Sequence, residues 1–261
     1  MCRVVDVRRA VLAKNDTLAG ALREELAGRG TIVVSLLSSP GSGKTALLER
    51  VLAHTSARGV PTAALTADLA TENDALRLAR SGVPVRQVLT GGLCHLEAAQ
   101  LRDRLEGWLP AGTRVLYVEN VGNLVCPASY DLGETLRITL MSVTEGEDKP
   151  LKYPAAFGLA QLVVLTKTDI ARAVGFDRAA FVRNVTGVNP GVEIAETSAR
   201  TGEGVESLVD RVLAVVRGAA VHRPAMAAAA SVGEYPHSHG PEGGHEHPPP
   251  VVLGDPAGRR P

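Results

Sequence analysis

The sequence predicts an α/β fold in which a mainly parallel sheet carries helices on both faces. Short apolar runs rich in β-branched residues alternate with longer segments of helical periodicity. The first of these runs leads directly into a glycine-rich turn and then into a helical segment. Hydrophobic residue types make up 45% of the 261 residues, which is enough to fill the core of one large domain.

The individual elements follow from periodicity and from turn residues. Asn15 or Asp16 can cap a first helix that runs to about Ala27, where Gly28 and Gly30 end it. Strands are expected near 31–37, 61–67, 83–89, 113–118, 135–143, 161–166 and 192–197. Further helices are expected near 44–57, 72–81, 95–107, 176–186 and 203–217. This alternation is typical of strand–helix–strand units with parallel pairing.

The composition of the chain changes near Gly218. Beyond it, stretches such as "AAAA" and "GPEGGHEHPPP" contain few large apolar residues. Such a segment cannot bury enough surface to offset its ordering entropy. We therefore predict an N-terminal segment and helix over 1–30, one folded domain over 31–218, and a disordered His/Pro/Gly-rich tail over 219–261.

Charge and cysteine content exclude several classes of protein. The chain has 28 Lys and Arg against 28 Asp and Glu, so its formal net charge is zero. This balance argues against a general nucleic-acid or membrane-surface binder. No apolar run reaches the ~18 residues of a membrane span, and "MCRVVDVRRAVLAKND" lacks the apolar core of a signal peptide. A cytoplasmic location is expected, where three cysteines are better interpreted as thiols or metal ligands than as disulfides.

The stretch "IVVSLLSSPGSGKTALLERVL" at 32–52 indicates a phosphate-binding loop. The usual pattern is Gly, four residues, Gly, Lys, then Ser or Thr. Gly43, Lys44 and Thr45 fill its last three places, and Ser38 stands at the first. A small residue suffices at the end of a strand if its backbone angles are ordinary. The preceding buried strand and the following helix are the context that distinguishes this motif from a strand–turn–helix with packing glycines.

Each residue of this loop has a chemical role. The glycines allow the loop formed by Gly41, Ser42 and Gly43 to turn its backbone N–H groups toward phosphate oxygens, and the helix N-terminus adds partial positive charge. Lys44 is placed for the β- and γ-phosphates, and the Thr45 hydroxyl can ligate Mg²⁺. The sequence therefore predicts a P-loop nucleotide-binding domain.

A second motif, "LVVLTKTD" at 162–169, indicates which base is bound. Guanine presents two N–H donors on one edge, and the carboxylate of Asp169 can accept both. The stem of Lys167 would lie over the base, and Thr166 stands where GTPases usually have asparagine. In "ETSARTGEG", Ser198 and Ala199 can offer backbone N–H groups to the guanine carbonyl. Both motifs follow predicted strands, where parallel sheets bind ligands, so GTP is preferred over ATP.

Two acidic residues complete the predicted phosphate site. Asp68 follows the second strand, and Glu119 ends the strand of "RVLYVENVGN". Glu119 can hold Mg²⁺ through water, while the Gly122 N–H can sense a γ-phosphate. We predict Lys44, Asp68 and Glu119 as catalytic residues. The simpler alternatives are a helix cap for Asp68 and a surface carboxylate for Glu119.

Cys94, His95 and Cys126 form a candidate metal site. Cys94 and His95 stand where a helix is expected to start, and Cys126 lies seven residues after Glu119. The two cysteines follow neighbouring βα units at the phosphate edge of the sheet. Thiolate and imidazole ligands suit Zn²⁺ and Ni²⁺. Three ligands from one chain leave a tetrahedral site open, whereas two facing chains bring six. The alternative is that each cysteine is a small buried hydrophobe.

The tail carries a second, weaker candidate for metal binding. Histidine-rich tracts suggest metal buffering, because spaced imidazoles on a flexible chain can wrap around one ion. The residues concerned are His237, His239, His245 and His247. An inert polar tail is the alternative.

Several of these segments together resemble one protein family. "SSPGSGKT", "DLATENDA", "TGGLCHLEAA", "ENVGNLVCPASYDLGE", "SVTEGEDKPLKYP" and "TKTD" are similar to the HypB family, the nickel-incorporation GTPases of [NiFe]-hydrogenase maturation. The resemblance extends from about Ser38 to Glu203 and implies a SIMIBI-type P-loop GTPase whose dimerisation depends on GTP. It also implies delivery of Ni²⁺ to the hydrogenase large subunit with an accessory metallochaperone.

The resemblance assigns roles to particular residues as well. It implies that Cys94, His95 and Cys126 bind Ni²⁺ or Zn²⁺ at the dimer interface, and that Asp68 and Glu119 lie on the Mg²⁺ side of the nucleotide. The segment 142–154 would face a partner. Only Cys2 stands near the N-terminus, where some members carry a cysteine-rich nickel motif. A urease-type nickel GTPase, a nickel-storage protein without catalysis and an ATP-using kinase are the alternatives.

Overall fold

Seven parallel strands form one sheet at the centre of the molecule. The structure is a computed structural model that describes the backbone of residues 2–68, 73–90 and 92–227, and the side chains of 10–67, 74–90 and 92–227. The strand order is β3-β2-β4-β1-β5-β6-β7. The strands are β1 Ile32–Ser38, β2 Thr62–Asp68, β3 Val85–Leu89, β4 Val115–Glu119, β5 Leu136–Ser142, β6 Leu162–Thr166 and β7 Ile194–Glu196.

Eight helices connect or flank these strands within the described residues. They are α1 Cys2–Gly28, α2 Lys44–Ala57, α3 Asn73–Ala79, α4 Ala98–Leu105, α5 Lys149–Lys152, α6 Pro154–Gly158, α7 Arg178–Val188 and α8 Val205–Val216. Single 3₁₀ turns lie at Pro127–Ser129 and Thr168–Ile170.

The predicted fold class is confirmed, and every strand pair in the described sheet is parallel. Each strand lies within two residues of its predicted bounds. The start of the first helix was predicted wrongly. It begins at Cys2, so Asn15 lies inside the helix and does not cap it. The short helices α5 and α6 were not predicted, because the prolines that begin them favour a loop interpretation.

Successive strand residues point to opposite faces of the sheet, and each face has its own core. On one face, Val34 and Tyr117 pack with Leu48 of α2 and Val209 of α8. On the other face, one cluster joins the strands to α1 and α4. A second cluster on that face joins them to α6 and α7. Because all strands are parallel, their carboxyl ends share one edge, and the predicted site residues follow those ends.

Polar contacts fix α1 to the loop between β4 and β5. The Asn15 amide donates to the Asp131 carbonyl at 2.8 Å, and its oxygen accepts the Ala98 N–H at the start of α4 at 2.9 Å. Arg23 contacts both carboxylate oxygens of Asp131 at 2.8 and 2.6 Å. Asn15, predicted as the cap of α1, therefore satisfies the first N–H of another helix.

The described chain continues past Gly218 to residue 227. His222 Nε2 lies 2.8 Å from the Asn189 side-chain oxygen, and Met226 packs so closely on Gly158 that a β-carbon there would be 2.0 Å from the Met226 sulfur. The four tail histidines lie outside the described residues. Among the residues that are described, no helix combines the length and apolarity that a membrane span requires.

Candidate nucleotide and metal site

The glycine-rich loop after β1 has the backbone conformation that its sequence predicts. Gly41 and Gly43 have φ values of 74° and 89°, in the left-handed region where a side chain would be strained. Ser38 is fully buried and is absent from the positive-φ residues of the described chain, so a non-glycine residue is compatible with its backbone. The Ser42 hydroxyl donates to the Ser39 carbonyl at 2.8 Å and closes the loop on itself.

Glu119 lies at the end of β4, directly beneath the start of α2. Its carboxylate accepts hydrogen bonds from Thr45 at 2.6 Å and from Thr66 at 3.2 Å, and it lies 3.5 Å from the Lys44 ammonium. Only 2% of the Glu119 side chain is exposed. Burial raises the pKa of Glu119 above its usual value, against the opposing effects of Lys44 and Thr45. Its alternative as a surface carboxylate is therefore excluded.

The phosphate loop borders a cavity of about 330 Å³. Gly122 lines it, and a β-carbon at Gly122 would lie 3.3 Å from Pro40, so the two loops approach closely. Asp74 and Arg77 of α3 also line this cavity, although sequence reasoning missed them. The sequence of α3 by itself indicates a solvent-exposed helix. Asp68 is the last residue of β2, and its side chain lies outside the described part of the chain.

Residues of the second motif contact the phosphate loop from β6. The Thr166 hydroxyl donates to the Ser42 carbonyl at 2.6 Å. At the position where GTPases usually have asparagine, threonine thus connects β6 to the phosphate loop by a hydrogen bond. The Lys167 ammonium donates to the Gly41 carbonyl at 2.7 Å. Lys167 has φ of 59°, the one positive value among the described non-glycine residues.

Asp169 lies in a second cavity, of about 300 Å³, beside Lys167 and Ala199. The Ser198 hydroxyl donates to Asp169 Oδ1 at 2.6 Å, and Arg200 Nε donates to Oδ2 at 2.7 Å. Both contacts favour the ionised carboxylate, and they hold the pKa of Asp169 below its usual value. An ionised acceptor suits a partner with two N–H donors.

Cys94, His95 and Cys126 meet at the same edge of the sheet. One ligand atom from each lies within 4.8 Å of the others, and Cys94 Sγ is 3.7 Å from His95 Nδ1. His95 is nearly buried, and its Nε2 lies 3.6 Å from the Glu97 carboxylate, beyond hydrogen-bond distance. An imidazole and two thiols at this spacing fit a borderline-soft metal ion. The adjacent Cys126, together with burial, raises the pKa of the Cys94 thiol.

Two expectations about this cluster were wrong. Strand β2 lies between β3 and β4, so the loops of Cys94 and Cys126 do not follow neighbouring strands. Helix α4 begins at Ala98, and the Gln100 side chain caps it by accepting the Glu97 N–H. Cys94 and His95 therefore lie in the loop before the helix. That loop extends far enough for the His95 ring to stack on Tyr130, with ring centroids 3.9 Å apart.

The loop after Cys126 is held by a buried arginine of β5. Arg137 donates to the carbonyls of Ala128 and Tyr130 at 3.1 Å each, and its Nε pairs with Glu134 at 2.5 Å. Sequence reasoning gave no signal for this contact, because a charged residue in an apolar strand usually faces solvent.

Comparison with known proteins agrees with this geometry. A family profile described as "CobW/HypB/UreG, nucleotide-binding domain" matches residues 32–196. Hydrogenase maturation factor HypB of Escherichia coli K12 is 45% identical over 204 residues, which cover 78% of this chain and 70% of that protein. The chain belongs to the HypB family. HypB proteins are P-loop GTPases of the SIMIBI class, and the predicted family and fold are both confirmed.

Two solved HypB structures extend the comparison. The HypB structure from Archaeoglobus fulgidus is 36% identical with a TM-score of 0.72, and it is matched over 78% of this chain and 99% of that chain. The HypB structure from Helicobacter pylori in complex with nickel is 37% identical with a TM-score of 0.73, over 78% and 95% of the two chains. The similarity thus covers nearly the whole of both HypB structures.

Proposed function

We propose that this protein is a GTP-hydrolysing metallochaperone that binds nickel and helps to insert it into the large subunit of a [NiFe]-hydrogenase. The observation that supports this proposal is that the phosphate site and the metal cluster share one loop. Glu119 of the phosphate site and Cys126 of the metal cluster are joined by six residues of chain. A nucleotide and a metal ion bound at these places would therefore contact the same segment.

The guanine nucleotide would lie across the carboxyl edge of the sheet. The phosphates would receive the N–H groups of 41–45 and the Lys44 ammonium, and the base would pair with Asp169. Mg²⁺ would be held by Thr45, Glu119 and Asp68, where it supplies positive charge to the phosphates. In support, Thr45 already contacts Glu119 at 2.6 Å. Hydrolysis then depends on positioning and charge, to which Lys44 and Gly122 contribute.

Nickel or zinc would bind to Cys94, His95 and Cys126. These three residues offer sulfur and nitrogen atoms at a spacing that suits one bound ion, and three ligands leave one position of a tetrahedral site open. The exposed side chains of Leu93 and Val125 stand next to two of the ligands. A homodimer that covers these apolar side chains would bring six ligands together. We expect the partners to be a second copy, an accessory metallochaperone and the hydrogenase large subunit, all in the cytoplasm.

The decisive experiment compares hydrolysis of GTP and of ATP by the purified chain, with and without Ni²⁺. We expect GTP hydrolysis that requires Mg²⁺, little ATP hydrolysis, and a change in the GTP rate when nickel binds. Cys126→Ala is the matched control, because it should retain GTP hydrolysis and lose the response to nickel. Absence of hydrolysis with stoichiometric nickel binding would favour the storage alternative, and hydrolysis of ATP alone would favour a kinase.

A further inference from the structure

We propose that Arg200 competes with the guanine base for Asp169 and thereby speeds nucleotide release. This inference rests on the proposed GTP-binding function. Arg200 Nε donates to Asp169 Oδ2 at 2.7 Å, within the cavity assigned to the base. Asp169 is thus engaged by a cation of this chain at the atom that a guanine N–H would use.

The guanidinium and the guanine edge present similar donors to a carboxylate. Both are planar and carry adjacent N–H groups in a fork. Ser198 donates to the other oxygen of Asp169 and can remain in place, because a carboxylate oxygen accepts more than one hydrogen bond. Arg200 also lines the cavity assigned to the base, so its guanidinium at Oδ2 occupies space that the guanine edge needs. Guanine binding therefore requires the guanidinium to leave.

The exposure of the two side chains indicates which of them moves. The Arg200 side chain is 74% exposed, whereas that of Asp169 is 9% exposed. The backbone around them is held in place, since Arg50 Nε donates to the Ala199 carbonyl at 3.0 Å and the Ser198 N–H donates to the Glu203 carbonyl at 2.9 Å. The Ser198 N–H, expected to meet the guanine carbonyl, is therefore engaged within its own loop. Arg200 can swing into solvent without disturbing the loop, and it can return as the base departs.

This competition has a defined signature in nucleotide binding. The competition lowers the affinity for GDP and for GTP by the same factor, because the contact involves the base and not the γ-phosphate. It also raises the dissociation rate, because Arg200 captures Asp169 when the base lifts away. An ion pair whose cation is largely exposed corresponds to a change of about twofold to fivefold in affinity.

The test is to measure GDP and GTP-analogue affinities and dissociation rates of the wild type and of Arg200→Ala, in Mg²⁺. We expect the variant to bind both nucleotides about twofold to fivefold more tightly and to release them more slowly. Arg80→Ala is the control. Arg80 lines a groove that Ala199 and Arg200 also line, and it has no ion-pair partner among the described residues. Its loss therefore removes the same charge without freeing Asp169. Arg80→Ala should slightly lower the affinity for both nucleotides.

Salt provides a second readout. The difference between wild type and Arg200→Ala should shrink at 1 M salt, where an exposed pair is screened. Unchanged or weaker nucleotide binding by Arg200→Ala, when the wild type binds GDP, would overturn this inference alone. Failure of the wild type to bind any guanine nucleotide would overturn the proposed function together with it.

Discussion

The side-chain oxygen of Asn120 accepts the backbone N–H of Leu96 at 3.2 Å, although the two residues lie on different loops. The same oxygen accepts the Val121 N–H at 2.9 Å, and only 1% of Asn120 is exposed. Asn123 makes a weaker second link, with its amide 3.5 Å from the Cys94 carbonyl. The segment that follows Glu119 is therefore bonded directly to the loop of Cys94 and His95.

This link predicts coupling between nucleotide and metal. Ordering of the Glu119–Gly122 segment by Mg²⁺ and the γ-phosphate should place Cys126 and the Cys94 loop in ligand geometry. We expect Ni²⁺ to bind about 5–150-fold more tightly when a non-hydrolysable GTP analogue is bound than when GDP is bound. By linkage, bound nickel should raise the affinity for the analogue relative to GDP by the same factor. The measurement is a nickel titration of residues 1–227 in both nucleotide states.

Two variants test the route of this coupling. Asn120→Ala should retain the three ligands and lose most of the nucleotide effect, because two backbone N–H groups lose their acceptor. Cys126→Ala should lose both nickel affinity and the nucleotide effect. Equal nickel affinities in the two nucleotide states of the wild type, or a nucleotide effect that survives Cys126→Ala, would contradict the coupling.

Lys44→Ala should lower GTP turnover at least ~100-fold with the fold retained, because one charged contact to the developing phosphate charge is lost. Turnover and far-UV circular dichroism check this prediction together. Lys44→Arg is the matched control, which keeps the charge and changes its geometry. Near-normal turnover in folded Lys44→Ala would show that the loop does not act on phosphates.

Asp169→Asn should weaken GTP binding about 10–100-fold, because a charged acceptor of two N–H groups is removed. The amide of the new side chain can donate to a carbonyl. Xanthosine triphosphate, which carries a carbonyl in place of the guanine amino group, should therefore become the better ligand. Competition binding with both nucleotides measures the switch, and an unchanged preference for GTP would refute base recognition by Asp169.

Glu119→Gln should stabilise the nucleotide-free protein while abolishing Mg²⁺-dependent hydrolysis. Burial raises the pKa of Glu119 in the folded state, so the folded protein holds this proton more tightly than the unfolded chain. Stability is therefore lost as pH rises from the unfolded pKa, about 4.3, through the folded pKa. Thermal unfolding between pH 4 and pH 8 should show a higher midpoint for Glu119→Gln at the upper end. A lower midpoint there would mean that the contact with Lys44 outweighs burial.

Removal of residues 228–261 should leave GTP hydrolysis intact and reduce the number of Ni²⁺ ions bound per chain. The cut keeps the contacts of His222 and Met226 with the folded domain and removes the histidines of "HSHGPEGGHEH". Equilibrium dialysis of the full and shortened chains gives the two stoichiometries. Identical values would exclude nickel binding by the tail.

The sequence was sufficient for the sheet and for the phosphate loop, because both depend on local patterns. The apolar run before Ser38 and the glycines after it determine strand, turn and helix with little help from the rest of the chain. The position of Asp169 was predictable for the same reason, since it lies three residues after the end of the buried strand β6.

Contacts between distant segments could not be predicted in this way. Arg200 and Asp169 are 31 residues apart, and Asn120 and Leu96 are 24 apart. Their side chains meet only because the strand order brings the loops together, and no periodicity encodes that order. The early start of α1 was missed because the first turn of the helix, at Cys2, contains no cap signal and no acidic residue.

The strand order also separates the expected positions of the base, the phosphates and the metal along the sheet. Strand β7, which leads to the Ser198 loop, and strand β3, which leads to the Cys94 loop, are the two edges of the sheet. At the usual strand spacing they are roughly 29 Å apart, and the phosphate loop and Glu119 follow the central strands β1 and β4 between them. The metal cluster is thus near the phosphates and remote from the base. We expect the identity of the base to decide which nucleotide enters, and the phosphate count alone to decide when the metal leaves.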